Sequence, residues 1–504
     1  MSTMRKSAIA IMFAALWLCA SGCQAAAQTN TIGDPGPAFT TLHSFHNTDG
    51  AHSQAALVQA TDGNLYGATA FGGANEADCI DGCGTIFRIT PSGTLTTLYN
   101  FCSQSNCTDG ANPEAAMIEA ASGDLYGTTS VAGPGGDGTV FKITSKGALT
   151  TLYGFGGADG ADPNGLVQAA NGNFYGTTQT GGDGVGCLGG CGTVFSITPA
   201  GTLTTLYSFC AQSGCKDGAI PEGALVEAAS GDFYGVTRSG GTYDWGTVFE
   251  ITASGTLTTL HSFCSLSGCA DGKTLDAGLV AGTDGELYGT TVWGGPNNAC
   301  AYGCGTIFKI ASSGGPLTTL YAFCSQEDCA DGYYPGSALV QATDGNFYGT
   351  TGYGGSNDYD GTIFKITPDG KLTTLHAFDS TDGANPAAAL TEDTNGSFYG
   401  TTQNGGSSGA CTSGCGTVFS LAVGLEPFVE TEPVSGKVGA TVNILGTSLT
   451  GATSVTFNGT AAVFKVIAGS EIAATVPTGA TSGKVQVTTP GGILSSNLPF
   501  HVLP

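Results

Sequence analysis

Sulfur is the first candidate for chemistry in this chain. Of 18 cysteines, Cys19 and Cys23 lie near the N-terminus and the rest fall into close pairs. Four pairs are C-x3-C (Cys79/Cys83, Cys187/Cys191, Cys300/Cys304, Cys411/Cys415) and four are C-x4-C (Cys102/Cys107, Cys210/Cys215, Cys264/Cys269, Cys324/Cys329). An even count in close pairs points to disulfides made in an oxidising compartment, each worth about 2 kcal/mol for so short a loop. Structural zinc needs four convergent ligands, and with the pairs spread along the chain and histidine scarce, no metal site is expected.

Carboxylates and imidazoles are the next candidates. An Asp-Gly pair recurs at Asp49, Asp109, Asp159, Asp217, Asp271, Asp331 and Asp382. A ring of oxygen ligands for Ca²⁺ is one reading; an Asx turn, in which each Asp accepts local backbone N–H groups, is the favoured one, and no cofactor is expected. The histidines (His43, His46, His52, His261, His376, His501) accompany no G-x-S-x-G or H-E-x-x-H motif, so no catalytic residue is assigned. Glu114 and Glu222 are candidates for a carboxylate pair in a channel, but the expectation is that they mark the solvated end of a strand. Gly72-Gly73 precedes a strand and not a helix, so it reads as a turn and not a phosphate loop. Tyr243, Trp245, Trp293, Tyr302, Tyr334, Tyr353 and Tyr359, with Tyr333, are the candidate binding residues. Flat rings beside Asn and Asp stack on sugars or anchor a protein partner; the same residues also serve to cover sheet ends.

Composition narrows the setting. With 504 residues the chain is too long for one ordinary core, and 11% charged residues exclude a charged coiled coil. The net charge of −25 repels phosphate backbones and anionic lipid, so no nucleic acid is expected as partner. Residues 1–27 read as a signal peptide: Arg5 and Lys6 precede the apolar run Ala8 to Leu18, which is too short to span a bilayer. No transmembrane segment follows. Two processing routes are open, an A-x-A site at Ala25-Ala26-Ala27 and a lipobox-like Ala20-Ser21-Gly22-Cys23 in which Cys23 would be lipidated. Either way the product is extracytoplasmic, secreted or lipid-anchored to a bacterial envelope. Losing Arg5 and Lys6 takes the net charge from −25 to −27.

The elements that must position these residues follow from a repeat. G-T-[IV]-F recurs with Phe at 87, 141, 195, 249, 308, 364 and 419, [LF]-Y-G with Tyr at 66, 126, 175, 234, 288, 348 and 399, and T-T-L-x-x-F with Phe at 45, 101, 155, 209, 263, 323 and 378. The period of 54 to 59 residues fits a four-stranded propeller blade. Asp62-Gly63 predicts a tight a–b hairpin and Pro91-Ser92-Gly93 a c–d hairpin. Phe39 to Phe45 is a d strand without a preceding c, and Gly416 to Leu421 a c strand without a following d, so each is expected to complete the other. Alternating strands place all the cysteine pairs, and the aromatic residues, on the face of the b–c and d–a loops. The aromatics cluster in blades 4 to 6.

The repeat resembles the GloVer-type tandem repeat of exported bacterial proteins, described as choice-of-anchor, over about Phe39 to Leu421. The resemblance implies export and a propeller-like body and carries over no catalytic residue. From Pro427 on, Pro433-Val434-Ser435-Gly436, Ile444-Leu445-Gly446, Val455-Thr456-Phe457-Asn458-Gly459 and Gly483-Lys484-Val485-Gln486-Val487 resemble an IPT/TIG domain, usually a spacer or interaction module. The expected organisation is a linker at 28–38, a seven-bladed β-propeller at 39–423 and an Ig-like β-sandwich at 424–504, all-β throughout. The expected function is non-catalytic binding of an extracellular glycan or protein through the stapled loop face. The alternative is a propeller enzyme acting on a polysaccharide or sugar, with dependence on Ca²⁺ left open.

Overall fold

A computed structural model describes residues 36–75, 79, 81–120, 122–228, 230–356 and 360–503. The leader, Cys23 and Tyr359 lie outside the described residues. Those described are all-β, with no α-helix among them.

Among the described residues the repeats form seven four-stranded antiparallel sheets, numbered here in chain order. Sheet 1 is Val58–Gln59, Leu65–Thr69, Thr85–Ile89 and Leu95–Asn100, strands a to d. Sheets 2 to 6 repeat this order along the chain. Sheet 7 takes strands a to c from Thr391–Glu392, Ser397–Thr402 and Thr417–Ala422, and its d strand is the N-terminal Ala38–Ser44, paired Phe39↔Leu421. The expected exchange between chain ends is therefore present. Core clusters form between consecutive sheets, and one containing Phe45, Leu57, Phe87, Tyr399 and Val418 joins sheet 7 to sheet 1. The result is propeller-like.

Two of the repeated signatures are halves of one contact. A Cβ on Gly67 would lie 2.4 Å from Phe87 Cζ and 2.6 Å from Leu57 Cδ2, and the Y-G glycines at 127, 176, 235, 289, 349 and 400 meet their own c-strand Phe in the same way. Glycine is needed there because the ring lies directly on the neighbouring backbone. The Thr of G-T-[IV]-F is buried against a strand-b Thr, as in Thr291 with Thr306 at 2.8 Å. The a–b turn is built as predicted: Asp62 Oδ1 accepts from Asn64 N at 3.0 Å and Gly63 has φ of 79°. Strand a is only two residues long except in sheets 3 and 4, where Ala161–Gln168 and Ala219–Glu227 are continuous.

The C-terminal residues make two further four-stranded sheets and a short parallel pair. Val442, Ile444, Ile472, Val455, Phe457, Val485, Val487 and Phe500 fill their core. This sandwich touches the a–b turn side of the repeats. Ser470 Oγ donates to Thr61 O at 2.8 Å, and Phe428 N donates to Thr394 O at 3.0 Å.

Candidate functional site

The Asp-Gly aspartates serve the fold. Asp109 accepts from Tyr99 OH at 2.8 Å and from Ser103 N and Gln104 N; Asp217 and Asp331 do the same with Tyr207 and Tyr321. Asp159 pairs with Tyr153 and Gly156 N. His43, His261 and His376 take the tyrosine's place opposite Asp49, Asp271 and Asp382. Each loop is thus tied to its own d strand: all seven aspartates accept local backbone N–H groups as expected, but from residues three to six places before them and not in the Asx turn expected. Burial raises Asp271, but hydrogen bonds from His261, Ser265 and Leu266 outweigh it and hold the carboxyl down to about 2.

Every cysteine pair expected to close as a disulfide does so. The C-x3-C staples are Cys79–Cys83, Cys187–Cys191, Cys300–Cys304 and Cys411–Cys415, and the C-x4-C staples are Cys102–Cys107, Cys210–Cys215, Cys264–Cys269 and Cys324–Cys329. The expectation that the pairs stay apart is corrected. The b–c staple and the following d–a staple meet, with Cys79 Sγ 3.7 Å from Cys102 Sγ and Cys187 Sγ 4.0 Å from Cys210 Sγ. Cys300, Cys304 and Cys324 converge in the same manner. Antiparallel c and d strands return the chain to the same face, so loops distant in sequence are neighbours in space.

The remaining cysteines show where this meeting stops. Cys107, Cys215, Cys264, Cys269, Cys329, Cys411 and Cys415 stand outside these sulfur clusters among the described residues. Cys264–Cys269 and Cys411–Cys415 have no second staple to meet, because neither the b–c loop of sheet 4 nor the loop after the N-terminal strand contains a cysteine. Cys107, Cys215 and Cys269 instead shape the main chain of their own loops. They adopt φ of 49°, 49° and 53°, and their carbonyls accept from Gly110 N, Gly218 N and Gly272 N at 2.9 Å each. Cys415 is fully buried, and its carbonyl accepts from His52 N at 2.9 Å, so this staple ties sheet 7 to the loop entering sheet 1.

The aromatic residues lie partly on stapled loops (Trp293, Tyr302, Tyr333 and Tyr334) and partly on the cysteine-free b–c loops of sheets 4 and 6 (Trp245 and Tyr353). Lys273, after Asp271-Gly272, pairs its backbone with Trp293 (N to O 2.9 and 3.1 Å), and Tyr333 pairs likewise with Tyr353 (2.9 and 3.2 Å). Thr274 N donates to Trp245 O, and Tyr334 N to Cys304 O, both at 3.0 Å. The loops of sheets 4, 5 and 6 are therefore fixed by main chain, and their side chains meet. Trp293 and Tyr302 have centroids 5.3 Å apart, while Tyr333 and Tyr353 stack at 5.6 Å with an interplanar angle of 18°. Tyr334 stands at 90° to Tyr353. Burial, then its neighbours Tyr302 and Tyr353, push the Tyr334 phenol up. Lys273 Nζ sits 4.5 Å from the Trp245 ring and 5.8 Å from that of Tyr302, a cation–π arrangement. Trp245, Tyr302 and Tyr353 remain 36%, 59% and 46% exposed. A cleft of about 520 Å³ opens beside Lys273 and Tyr302, floored by Gly294, Gly295 and Gly303. Tyr243 is not part of this group; it lines a separate hollow with Lys216 and His261.

A second cavity, about 580 Å³, lies where the a strands converge. The residue five places after each repeated Asp lines it: Gln54, Glu114, Asn164, Glu222, Asp276, Gly336 and Ala387. Glu114 and Glu222 thus belong to the channel, a correction to the solvated strand end expected for them, because strand a is the innermost strand of each sheet. Asp276, at this position, and Asp162, two residues before Asn164, join them; sequence reasoning missed both because neither recurs from repeat to repeat. Burial, then Asp162, pushes Glu114 up to about 7; burial, then Asp276, pushes Glu222 up to about 8. Burial also pushes Asp162 up to about 6 and raises Asp276 against the opposing pull of Arg238. Arg238 lies 3.3 Å from Asp276 and 3.7 Å from Glu222, one cation among four carboxylates.

Comparison with known proteins adds the family. No curated protein matches. Among solved structures, the chain is similar to the extracellular domain assigned to a hybrid two-component system of B. thetaiotaomicron, at 13% identity and a TM-score of 0.49, over 93% of this chain and 58% of that one. It thus spans little more than half of that relative. It is also similar to a fungal alcohol oxidase of the AA5 family solved with copper, at 12% identity and a TM-score of 0.48, over 93% and 99% of the two chains. A gluconolactonase from Xanthomonas campestris matches at 14% identity and a TM-score of 0.34, over 56% and 78%. No helix among the described residues is long and apolar enough to cross a membrane. The Gloeobacter/Verrucomicrobia repeat model matches residues 31–228 and 186–419, and the IPT/TIG domain model matches residues 429–502. The chain therefore belongs to the Gloeobacter/Verrucomicrobia repeat family and carries an IPT/TIG domain after its repeats.

Proposed function

We propose that this is an exported binding protein that holds an extracellular glycan on the aromatic patch of sheets 4 to 6, with the IPT/TIG domain as spacer or second contact. One observation carries the reading: Trp245 and Tyr302, from successive repeats, flank Lys273 beside an open cleft, with Trp293 packed on Tyr302 and the Tyr334–Tyr353 pair on the loops of the next repeat. Exposed rings give stacking surfaces at low entropy cost, and the lysine donates hydrogen bonds to hydroxyl or carboxylate oxygens beside them. The disulfides and main-chain pairs hold the rings in place before a ligand arrives, which lowers the cost of binding. Export by the leader, with or without a lipid on Cys23, supplies the oxidising setting that the disulfides need. Glycan-array binding by the oxidised protein, lost in folded Trp245→Ala and Trp293→Ala variants, is the expected result. Undiminished binding in both variants would remove the patch from the account, and capture of a protein in place of any glycan would change the ligand class.

The channel favours a second reading. Glu114 and Glu222, pushed up to about 7 and 8, hold protons near neutral pH, as a general acid must. On this reading the protein acts on an extracellular polysaccharide or sugar in the channel. Turnover abolished by Glu222→Gln but kept in Trp293→Ala would select it over the first.

A further inference from the structure

We propose that His43, His46 and Asp49 form a site for one divalent transition-metal ion, Zn²⁺ or a close relative, on the loop that joins the N-terminal strand to sheet 1. One ligand atom from each residue lies within 4.8 Å of the others. His43 Nε2 and Asp49 Oδ2 are hydrogen-bonded at 2.9 Å, so both already face one point, and a bound ion would replace that contact with a bond of about 2.0–2.1 Å to each. His46 is exposed, and the side chains of His43 and Asp49 keep 21% and 26% of their surface, so an ion reaches them from solvent. Asp49 Oδ1 accepts from His46 N at 2.7 Å, which fixes the loop before the ion arrives. Two imidazoles and one carboxylate are the donor set of open zinc sites, with the remaining positions left to water. Ni²⁺ and Cu²⁺ are accepted by the same set.

The other repeats separate what the fold needs from what the ion needs. A Tyr or His from strand d opposite the Asp-Gly aspartate occurs in every repeat, so the His43–Asp49 pair alone is structural. His261–Asp271 and His376–Asp382 are such pairs, and neither belongs to a metal-competent group among the described residues. The addition in this loop is His46. The corresponding residue after the strand-d Phe is Cys102, Gly156, Cys210, Cys264, Cys324 or Asp379. Four of those are cysteines that close their loops as disulfides. The loop at His46 has no cysteine, and it leaves the strand that completes sheet 7. An ion there cross-links the closing loop where a disulfide does so elsewhere.

The test uses the full oxidised chain, with any free thiols alkylated and metal removed by EDTA, titrated with Zn²⁺ in a calorimeter and in thermal melts. One equivalent is expected to bind, with a rise in Tm that EDTA reverses. His46→Ala is expected to fold and to lose at least about tenfold in affinity together with the Tm response, a loss of about 1.4 kcal/mol. His376→Gln, which alters a structural His–Asp pair, is expected to keep the single equivalent. Absence of saturable binding in the parent protein, or parental stoichiometry and affinity in His46→Ala, would overturn the site.

Discussion

The smallest decisive groups are the Asp-Gly carboxylates and the residues opposite them. Asp271 is 1% exposed and accepts from His261, from Ser265 through both its amide and hydroxyl, and from Leu266 N. Asp271→Asn exchanges a charged acceptor of several bonds for an amide that donates toward donors, and is expected to cost about 1–3 kcal/mol in chemical unfolding. Because this carboxyl lies below its ordinary value, its contribution is present above about pH 4 and is lost as pH falls toward 2. The repeated Asp-Gly pair made the turn legible. Its partner was not, although Tyr99, Tyr153, Tyr207 and Tyr321 recur at one position, because the exchange of Tyr for His at 43, 261 and 376 hides the pattern. In the patch, Lys273→Met is expected to weaken glycan binding about tenfold with little change in Tm, since the methionine keeps the stem against Trp245 and removes the donor. Equal affinity in a calorimetric titration would show that the amine makes no contact with ligand.

At the scale of strands and loops, the repeat signatures proved to be contacts. Gly289→Ala places a methyl 2.6 Å from Phe308 Cζ and 2.9 Å from Leu279 Cδ2. A loss of about 1–3 kcal/mol is expected, because a packed core absorbs an added methyl by displacing side chains. Unfolding that matches the parent protein would mean that the ring moves freely. Three of the d–a staples act on loops whose short 3₁₀ turns end at their second cysteine: Ser105–Cys107, Ser267–Cys269 and Glu327–Cys329. Replacing Cys324 and Cys329 by Ser is expected to cost about 2 kcal/mol and to loosen Tyr333 and Tyr334, seen as faster amide exchange at 330–334. The hairpins were readable because turn glycines and apolar alternation act locally. The meeting of Cys79 with Cys102 was not readable, since it depends on two loops returning to one face after strands c and d.

Across the whole molecule, carboxylates raised by burial dominate the response to pH. Besides the channel, a second group lines the seam between repeats and IPT/TIG domain. Burial, then Glu392 and Asp393, pushes Glu430 up to about 7; burial, then Glu119, Glu430 and Glu471, pushes Glu432 up to about 9. Burial pushes Asp393 up to about 6 and raises Glu119, Glu392 and Glu471. Each group binds its proton more tightly in the folded chain, so folding takes up protons and stability falls as pH rises from about 4.5 through 6 to 9. Thermal melts are expected to give a higher Tm at pH 5 than at pH 8.5; the reverse order would contradict the burial of these groups. The repeat and its end-to-end closure were legible because their signature residues recur in phase, and the C-terminal sandwich because its strand and turn residues match those of an IPT/TIG domain. Of the acidic half of the channel, Glu114 and Glu222 were named as candidates but Asp162 and Asp276 were not, because Gln54, Glu114, Asn164, Glu222, Asp276, Gly336 and Ala387 share a place in the fold and no common residue type. The patch was partly legible: Trp245, Trp293, Tyr302, Tyr334 and Tyr353 fall on neighbouring loops, Tyr243 lines a separate hollow, and Lys273, between Trp245 and Tyr302, went unnoticed as an ordinary surface cation. Of the three tryptophans, Trp17 lies in the leader and the other two lie in the patch. Tryptophan emission of the leader-free protein, followed while a glycan selected from the array is titrated in, therefore tests the binding face most directly. A saturable shift in emission with the calorimetric affinity is predicted, and calorimetric binding with unchanged emission would contradict it.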